Sequence, residues 1–331
     1  MTWEIAGHEW AAHLLKEHIA RQEVRHAYLF TGPQGSGRRT LALQFAQALN
    51  CIRPPAPGDF CGQCRTCKQI AAMQFIDLSV VRPEEGSTSL KIEQVRDVQR
   101  LLSLMPYEAN YRVALLLGFQ DATPSAQNAL LKTLEEAPKK VILLLTAESA
   151  ESLLPTIVSR CEVLRLRPLP LDLLQQNLEG RGLSKHDAAL LAHLAGGRLG
   201  YALRLKDDPA RMDQRSALID DLLGMLPANR RERFTYAEAM SKDKEALREA
   251  YRVWLTFWRD LMLCCASPDL PLVNTDMEEQ IRDLATKIDL PTARARVVDL
   301  EQGLTRLDEN LNARLTTEVI LLDWPYLTTE S

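Results

Sequence analysis

The sequence lacks an apolar run of about 18 residues, so no membrane-spanning helix is expected. Its opening stretch, MTWEIAGHEW, carries acidic residues and no apolar core, so it does not read as a secretory signal. A cytoplasmic location is the expectation, with no membrane partner. A strong excess of one charge is also missing. The net charge is -4, which argues against a chain that grips DNA tightly by electrostatics alone. Low-complexity tracts and short-period repeats are absent too, which excludes a solenoid or a disordered tail as the main architecture. A last absence is local. TGPQGSGRRT, Thr31 to Thr40, has the glycine spacing of a phosphate-binding loop, but Arg38 stands where the pattern G-x-x-x-x-G-K-[ST] requires lysine.

What is present is a chain of 331 residues, 46% hydrophobic and 25% charged, which is a globular composition with room for two or three domains. HAYLF (His26 to Phe30) is a short apolar run followed directly by the glycine loop. LALQFAQALNC then places Leu41, Phe45, Ala48 and Leu49 at helical spacing. Strand, glycine loop, helix is the context a phosphate loop needs. FIDLSVVRP, YRVALLLG, KVILLLTA and CEVLRLRPL read as further strands. LKIEQVRDVQRLLSL and TPSAQNALLKTLEEAP read as helices, the second with Thr123 as N-cap, Pro124 in its first turn and Pro138 beyond its end. The alternation predicts an α/β domain over residues 1–170, a parallel sheet with helices on both faces. Two short helical segments over 171–207 predict a small helical lid. Residues 208–331 read as all-helical.

The glycine loop lacks more than its lysine. Gly32, Gly35 and Gly37 can build a phosphate cradle at a helix N-terminus. Arg38 is charged but has a bulky planar head. Arg39 occupies the slot of the metal-binding hydroxyl, and Thr40 comes one residue late. The strand VALLLG ends at Gly118 with no acidic residue until Asp121, so the second metal ligand is missing as well. Hydrolysis of ATP here is not expected. Two readings of the glycines stand, a weak anion site and a plain tight turn. An active ATPase with Arg38 replacing lysine, and Thr40 or Asp121 recruited to the metal, is the competing reading.

Seven cysteines in a chain expected to be cytosolic do not suggest a disulfide framework. Cys51, Cys61, Cys64 and Cys67 follow C-x9-C-x2-C-x2-C, a spacing that suits tetrahedral Zn²⁺ in a closed, structural site. The alternatives are buried thiols or a redox pair. Arg53, Arg65 and Lys68 with Phe60 alone make a weak nucleic-acid platform. Cys264 and Cys265 lie in an apolar helix and read as core. Trp254, Phe257 and Trp258 on the same helix read either as internal core or as an association surface.

HAYLFTGPQGSG, the four-cysteine insertion, NALLKTLEE (Asn128 to Glu136) and TIVSRC (Thr156 to Cys161) occur in that order, with ENLNARLTTEVILLDW near the end. Together they resemble the bacterial DNA polymerase III clamp-loader subunits of the AAA+ class, over nearly the whole chain. In that family the gamma/tau motor subunits carry intact lysine, threonine and acidic elements. The delta-prime branch often lacks them while keeping the cysteines and the Ser-Arg-Cys, and the sequence is similar to that branch. Gly200 stands where the motors carry an arginine in GGRLGYAL, with Arg198 two residues earlier. The polar sensor slot falls near Ala147, beside Thr146.

The resemblance implies an open ring with gamma/tau-type motor and delta-type subunits, joined by the C-terminal helices as a collar. It implies work on a sliding clamp and primer-template DNA, with structural Zn²⁺ and with ATP not bound, or not hydrolysed, by this chain. Arg160 would act in trans as an arginine finger at a neighbour's ATP site, with Ser159 and Cys161 setting the turn. On its own residues Arg160 reads as a surface arginine near a helix C-terminus. Arg96 and Arg100 could face DNA, or could belong to a solvated helix face.

Overall fold

Five consecutive buried residues, Ala27–Thr31, form β1. Their side chains alternate between two apolar layers. Tyr28 and Phe30 join the core on one face, and Ala27 and Leu29 the core on the other. A strand buried on both faces needs apolar residues at every position, and that is what HAYLF supplies. The computed structural model describes residues 3–84, 89–309 and 311–327. The chain forms two compact units, one of residues Met1–Asn177 with Gly197–Tyr201, the other of Leu178–Gly196 with Ala202–Ser331. The segment 171–207, read above as a separate lid, is shared between them.

In chain order the first unit contains α1 (Glu9–Ala20), β1, α2 (Arg38–Asn50), α3 (Arg65–Ala71), β2 (Leu78–Val81), α4 (Ile92–Leu102), β3 (Arg112–Leu116), α5 (Pro124–Glu135), β4 (Val141–Ala147), α6 (Pro155–Val158), β5 (Glu162–Arg165) and most of α7 (Leu171–Glu179). The sheet is parallel throughout, in the order β2-β3-β4-β1-β5. β3 and β4 repeat the alternation of β1. Val113, Leu115, Ile142 and Leu144 face one core, and Ala114, Leu116, Leu143 and Leu145 the other. α5 begins as its sequence requires, with the Thr123 hydroxyl accepting from the Ala126 amide and proline in the first turn. CEVLRLRPL forms a shorter strand than its alternation suggests, Glu162–Arg165.

The second unit holds α8 (Lys185–Ala195), the later part of α9 (Leu199–Asp207), α10 (Pro209–Met225), α11 (Arg230–Met240), α12 (Lys244–Ala266), α13 (Glu278–Lys287), α14 (Leu290–Asp308) and α15 (Ala313–Leu322). Tyr251, Trp254, Phe257 and Trp258 on α12 are fully buried, and the Trp254 indole donates to the Leu218 carbonyl at 2.7 Å. These aromatics are internal core. Arg233 is also buried, and donates to the carbonyls of Ala228, Leu321, Trp324, Leu226 and Pro325. A guanidinium with five donors ties the stretch from Leu226 to Ala228 to that from Leu321 to Pro325 there.

In the first unit one buried ion pair organises a loop. Asp77, just before β2, receives Arg112 at 2.9 Å and the amides of Tyr107, Glu108 and Ala109. Burial alone would raise its pKa. The three amides and Arg112 outweigh that and hold it below the ordinary value. Asp77→Ala should cost about 3–5 kcal/mol in urea unfolding, because Arg112 is left buried without its counter-ion. Since the folded pKa is depressed, the carboxylate's contribution is complete above about pH 4 and is lost as pH falls through the folded value. Asp77→Asn should therefore flatten the acid limb of the stability curve, and an unchanged limb would rule out this role.

Candidate functional sites: a glycine loop, a cysteine cluster and an exposed arginine

β1 feeds straight into the glycine loop, and Gly37 caps α2 at φ 97°. Gly35 has φ 90°, and side chains are strained at both positions. The Gly32 amide donates to the carbonyls of Ala147 and Glu148 at the end of β4. Among the described residues, the Ser36 hydroxyl and Nη1 of Arg38 are buried without a hydrogen-bond partner. Burial lowers the pKa of Arg38, and the charges of Glu148 and Asp121 oppose that. Arg39 and Thr40 point to solvent. β3 runs out through Leu117 into Gly118, in a left-handed conformation, and Asp121 follows in a short 3-10 turn. Thr146 is buried and accepts from the Gly118 amide at 2.9 Å, which ties the ends of β3 and β4 together, and Ala147 is buried in the core.

Gly200, in the first turn of α9, touches the loop itself. Its amide donates to the Gly35 carbonyl at 2.9 Å. A Cβ at position 200 would lie 2.9 Å from that same oxygen and 3.3 Å from the Gly35 Cα. The sequence marked Gly200 as the slot of a missing arginine but could not show that its backbone bonds to the loop.

The four cysteines converge. α2 ends at Cys51, the chain loops through residues 52–60, and Cys64 caps α3, so that all four Sγ atoms lie within 4.8 Å of one another. The Cys61, Cys64 and Cys67 amides point at the sulfurs of Cys51, Cys61 and Cys64 at 3.3–3.4 Å. The amides of Cys64 and Gln63 pull the Cys61 thiol down to about 6, whereas burial pushes Cys51 and Cys67 up. Four sulfurs this close could hold a metal ion, and tetrahedral thiolate coordination fits their number and spacing.

Arg160 follows α6, whose C-cap is Ser159. The Ser159 hydroxyl donates to the Thr156 carbonyl at 3.2 Å. The Arg160 guanidinium donates from Nη1 to the same carbonyl at 2.9 Å and from Nη2 to Glu135 at 2.7 Å. Its side chain is 34% exposed. The neighbouring Cys161 thiol is pushed up to about 12 by burial, so it is an inert packing group. Glu135 lies inside NALLKTLEE, but nothing in the sequence pairs it with a residue 25 positions on.

Sheet register separates Arg160 from the glycine loop of its own chain. β5 pairs in parallel with β1, Tyr28 opposite Glu162 and Thr31 opposite Arg165. Arg160 precedes the first of these pairs and the loop follows the last. The two therefore sit at opposite ends of the same strands, roughly 20 Å apart along the sheet.

A parallel sheet in this order, a glycine loop between β1 and α2, and a helical C-terminal region define an AAA+ type P-loop chain. A family model described as "DNA polymerase III, delta subunit" matches residues 7–170. The DNA polymerase III subunit delta' of Bacillus subtilis is 26% identical over 93% of this chain and 93% of its own length. That of Pseudomonas aeruginosa is 35% identical over 66% of each chain. The tau/gamma subunit of Haemophilus influenzae is 28% identical over 96% of this chain, which spans 48% of its length. The chain belongs to the DNA polymerase III clamp-loader subunit family, with delta-prime and gamma/tau chains as its relatives. Among the described residues, no helix is long and apolar enough to cross a membrane.

The contact at Gly200 yields a direct test. Gly200→Val should push α9 off the loop, break the bond to Gly35 and lower the melting temperature by several degrees. Amide exchange at Ser36 to Arg38 should accelerate. Unchanged exchange there would show that α9 does not brace the loop.

Proposed function

We propose that the chain is the delta-prime-type subunit of a replication clamp loader, which does not hydrolyse ATP itself and completes the ATP site of a neighbouring motor subunit with Arg160. The observation that carries this reading is the placement of Arg160 at the end of β5 remote from its own loop. An arginine there cannot serve its own chain's phosphate loop, yet it is half-exposed and held in one orientation. A guanidinium fork presented to a neighbour's γ-phosphate would neutralise the charge that develops as the phosphoryl group transfers. Ser159 and Cys161 shape the turn that presents it and touch no phosphate.

The loop supports the other half of the reading. Arg38 places its own cation among Asp121 and Glu148, where a bound nucleotide would require a lysine and a metal ion. Gly32, Gly35 and Gly37 keep the turn from β1 into α2, but Arg39 offers no metal ligand and Gly118 no carboxylate. ATP does not fit this set as a substrate.

Cys51, Cys61, Cys64 and Cys67 would hold Zn²⁺. The ion would supply the charge that lets four neighbouring thiolates coexist, and would pin the 52–60 loop between α2 and α3.

The helical C-terminal unit would join the collar of a ring with gamma/tau-type and delta-type subunits. α15 supports this with Leu315, Val319 and Leu322, which are 59%, 43% and 38% exposed and recur at the spacing of one helix face. The sliding clamp and primer-template DNA would be met through that assembly.

Two measurements test these assignments. With the other motor sites blocked, Arg160→Ala in the reconstituted loader should cut turnover at the adjoining site by about 10³ without loss of assembly. Wild-type turnover would sink the finger. The purified chain should carry one zinc ion, and chelation or Cys64→Ser should release it and lower the melting temperature. Zinc-free protein with unchanged melting would sink the metal assignment.

A further inference from the structure

Glu135 occupies an unfavourable place. It is the last residue of α5, where the helix dipole disfavours a carboxylate. Among the described residues its hydrogen bond is to Arg160, at 2.7 Å. The chain therefore sets a negative charge at a costly position and spends it on one guanidinium.

That guanidinium is held at two nitrogens by two different elements. Nη1 is anchored on the Thr156 carbonyl of α6 and Nη2 on the carboxylate at the end of α5. The fork is planar and rigid, so two anchors on different atoms determine the orientation of its plane. Three of its five N–H groups lie outside these two bonds. An unanchored arginine on a surface samples many rotamers and loses that freedom when it binds.

We infer that Glu135 is the positioning residue for Arg160, holding its guanidinium in the orientation that meets the neighbour's γ-phosphate. This rests on the reading of Arg160 as a finger in trans. Glu135 does not touch the nucleotide and acts through Arg160 alone. The pair is half-exposed on both sides, so it orients the fork without locking it away.

The test uses the assembled loader with the other motor sites blocked. Glu135→Ala should lower kcat at the adjoining site about fivefold to twentyfold with KM for ATP within about twofold, since mispositioning affects the transition state more than ground-state binding. Glu135→Gln keeps an accepting oxygen and should recover most of the loss. In an Arg160→Ala background, Glu135→Ala should have no further effect, which a merely structural role for Glu135 would not produce. Circular dichroism and size exclusion verify that each variant folds and assembles. If Arg160→Ala abolishes turnover while Glu135→Ala leaves kcat unchanged or raises it, the positioning role is wrong and the finger stands. Multiplying effects in the double variant also overturn it. If Arg160→Ala itself is silent, the finger reading falls, and the role of Glu135 falls with it.

Discussion

The parallel pairing of β5 with β1 is the constraint on which the rest of the first unit depends. Two strands that run the same way put their beginnings at one edge of the sheet and their ends at the other. The glycine loop leaves the end of β1, and the turn that carries Arg160 enters the beginning of β5. Had β5 run antiparallel, Arg160 would have fallen beside its own loop. As built, one strand pair separates the glycine loop from the turn that carries Arg160. The same two-faced burial that makes β1, β3 and β4 nearly continuous apolar runs makes this separation stiff.

The loop end of the sheet combines the backbone shape of a phosphate cradle with residues that depart from the P-loop pattern. The turn from β1 into α2 needs glycines whatever is bound there, because Gly35 and Gly37 take conformations that side chains resist. Arg38 then brings a partly buried cation among Asp121 and Glu148, whose charges offset part of the cost of burying it. Gly200 approaches so closely that its amide reaches the Gly35 carbonyl, and a Cβ at position 200 would crowd the Gly35 backbone. A side chain at position 200 is incompatible with the braced loop.

Features set by short-range spacing were legible in the sequence. Thr123, Pro124 and Pro138 delimited α5, the alternation in HAYLF and YRVALLLG marked a doubly covered sheet, and C-x9-C-x2-C-x2-C brought four sulfurs together. Features that join distant positions were not legible. Asp77 and Arg112 are 35 residues apart, Gly35 and Gly200 lie on different elements, and Arg233 reaches carbonyls about 90 residues on. Each depends on side chains or amides that meet after the chain has packed, and no periodicity records them. Trp254, Phe257 and Trp258 show a further limit. Periodicity finds an apolar face but not what covers it, and here the second unit's own helices cover α12, whereas Leu315, Val319 and Leu322 on α15 stay exposed.

In the role proposed for it, the Arg160–Glu135 pair would be suited by its weakness. An exposed ion pair contributes about 0–1 kcal/mol, because water screens it and two long side chains lose freedom to make it. A finger that accelerates phosphoryl transfer by about 10³ supplies about 4 kcal/mol in the transition state. On the proposed reading the N–H groups outside the two anchoring bonds would meet the phosphate, and so weak a pair would adjust to that pull while still aiming the fork. A buried pair such as Asp77–Arg112, worth several kcal/mol to break, would hold its arginine against that pull. The fold uses both kinds, a buried pair that holds the 107–109 loop still and an exposed pair that, in the proposed finger role, would aim a charge without locking it away.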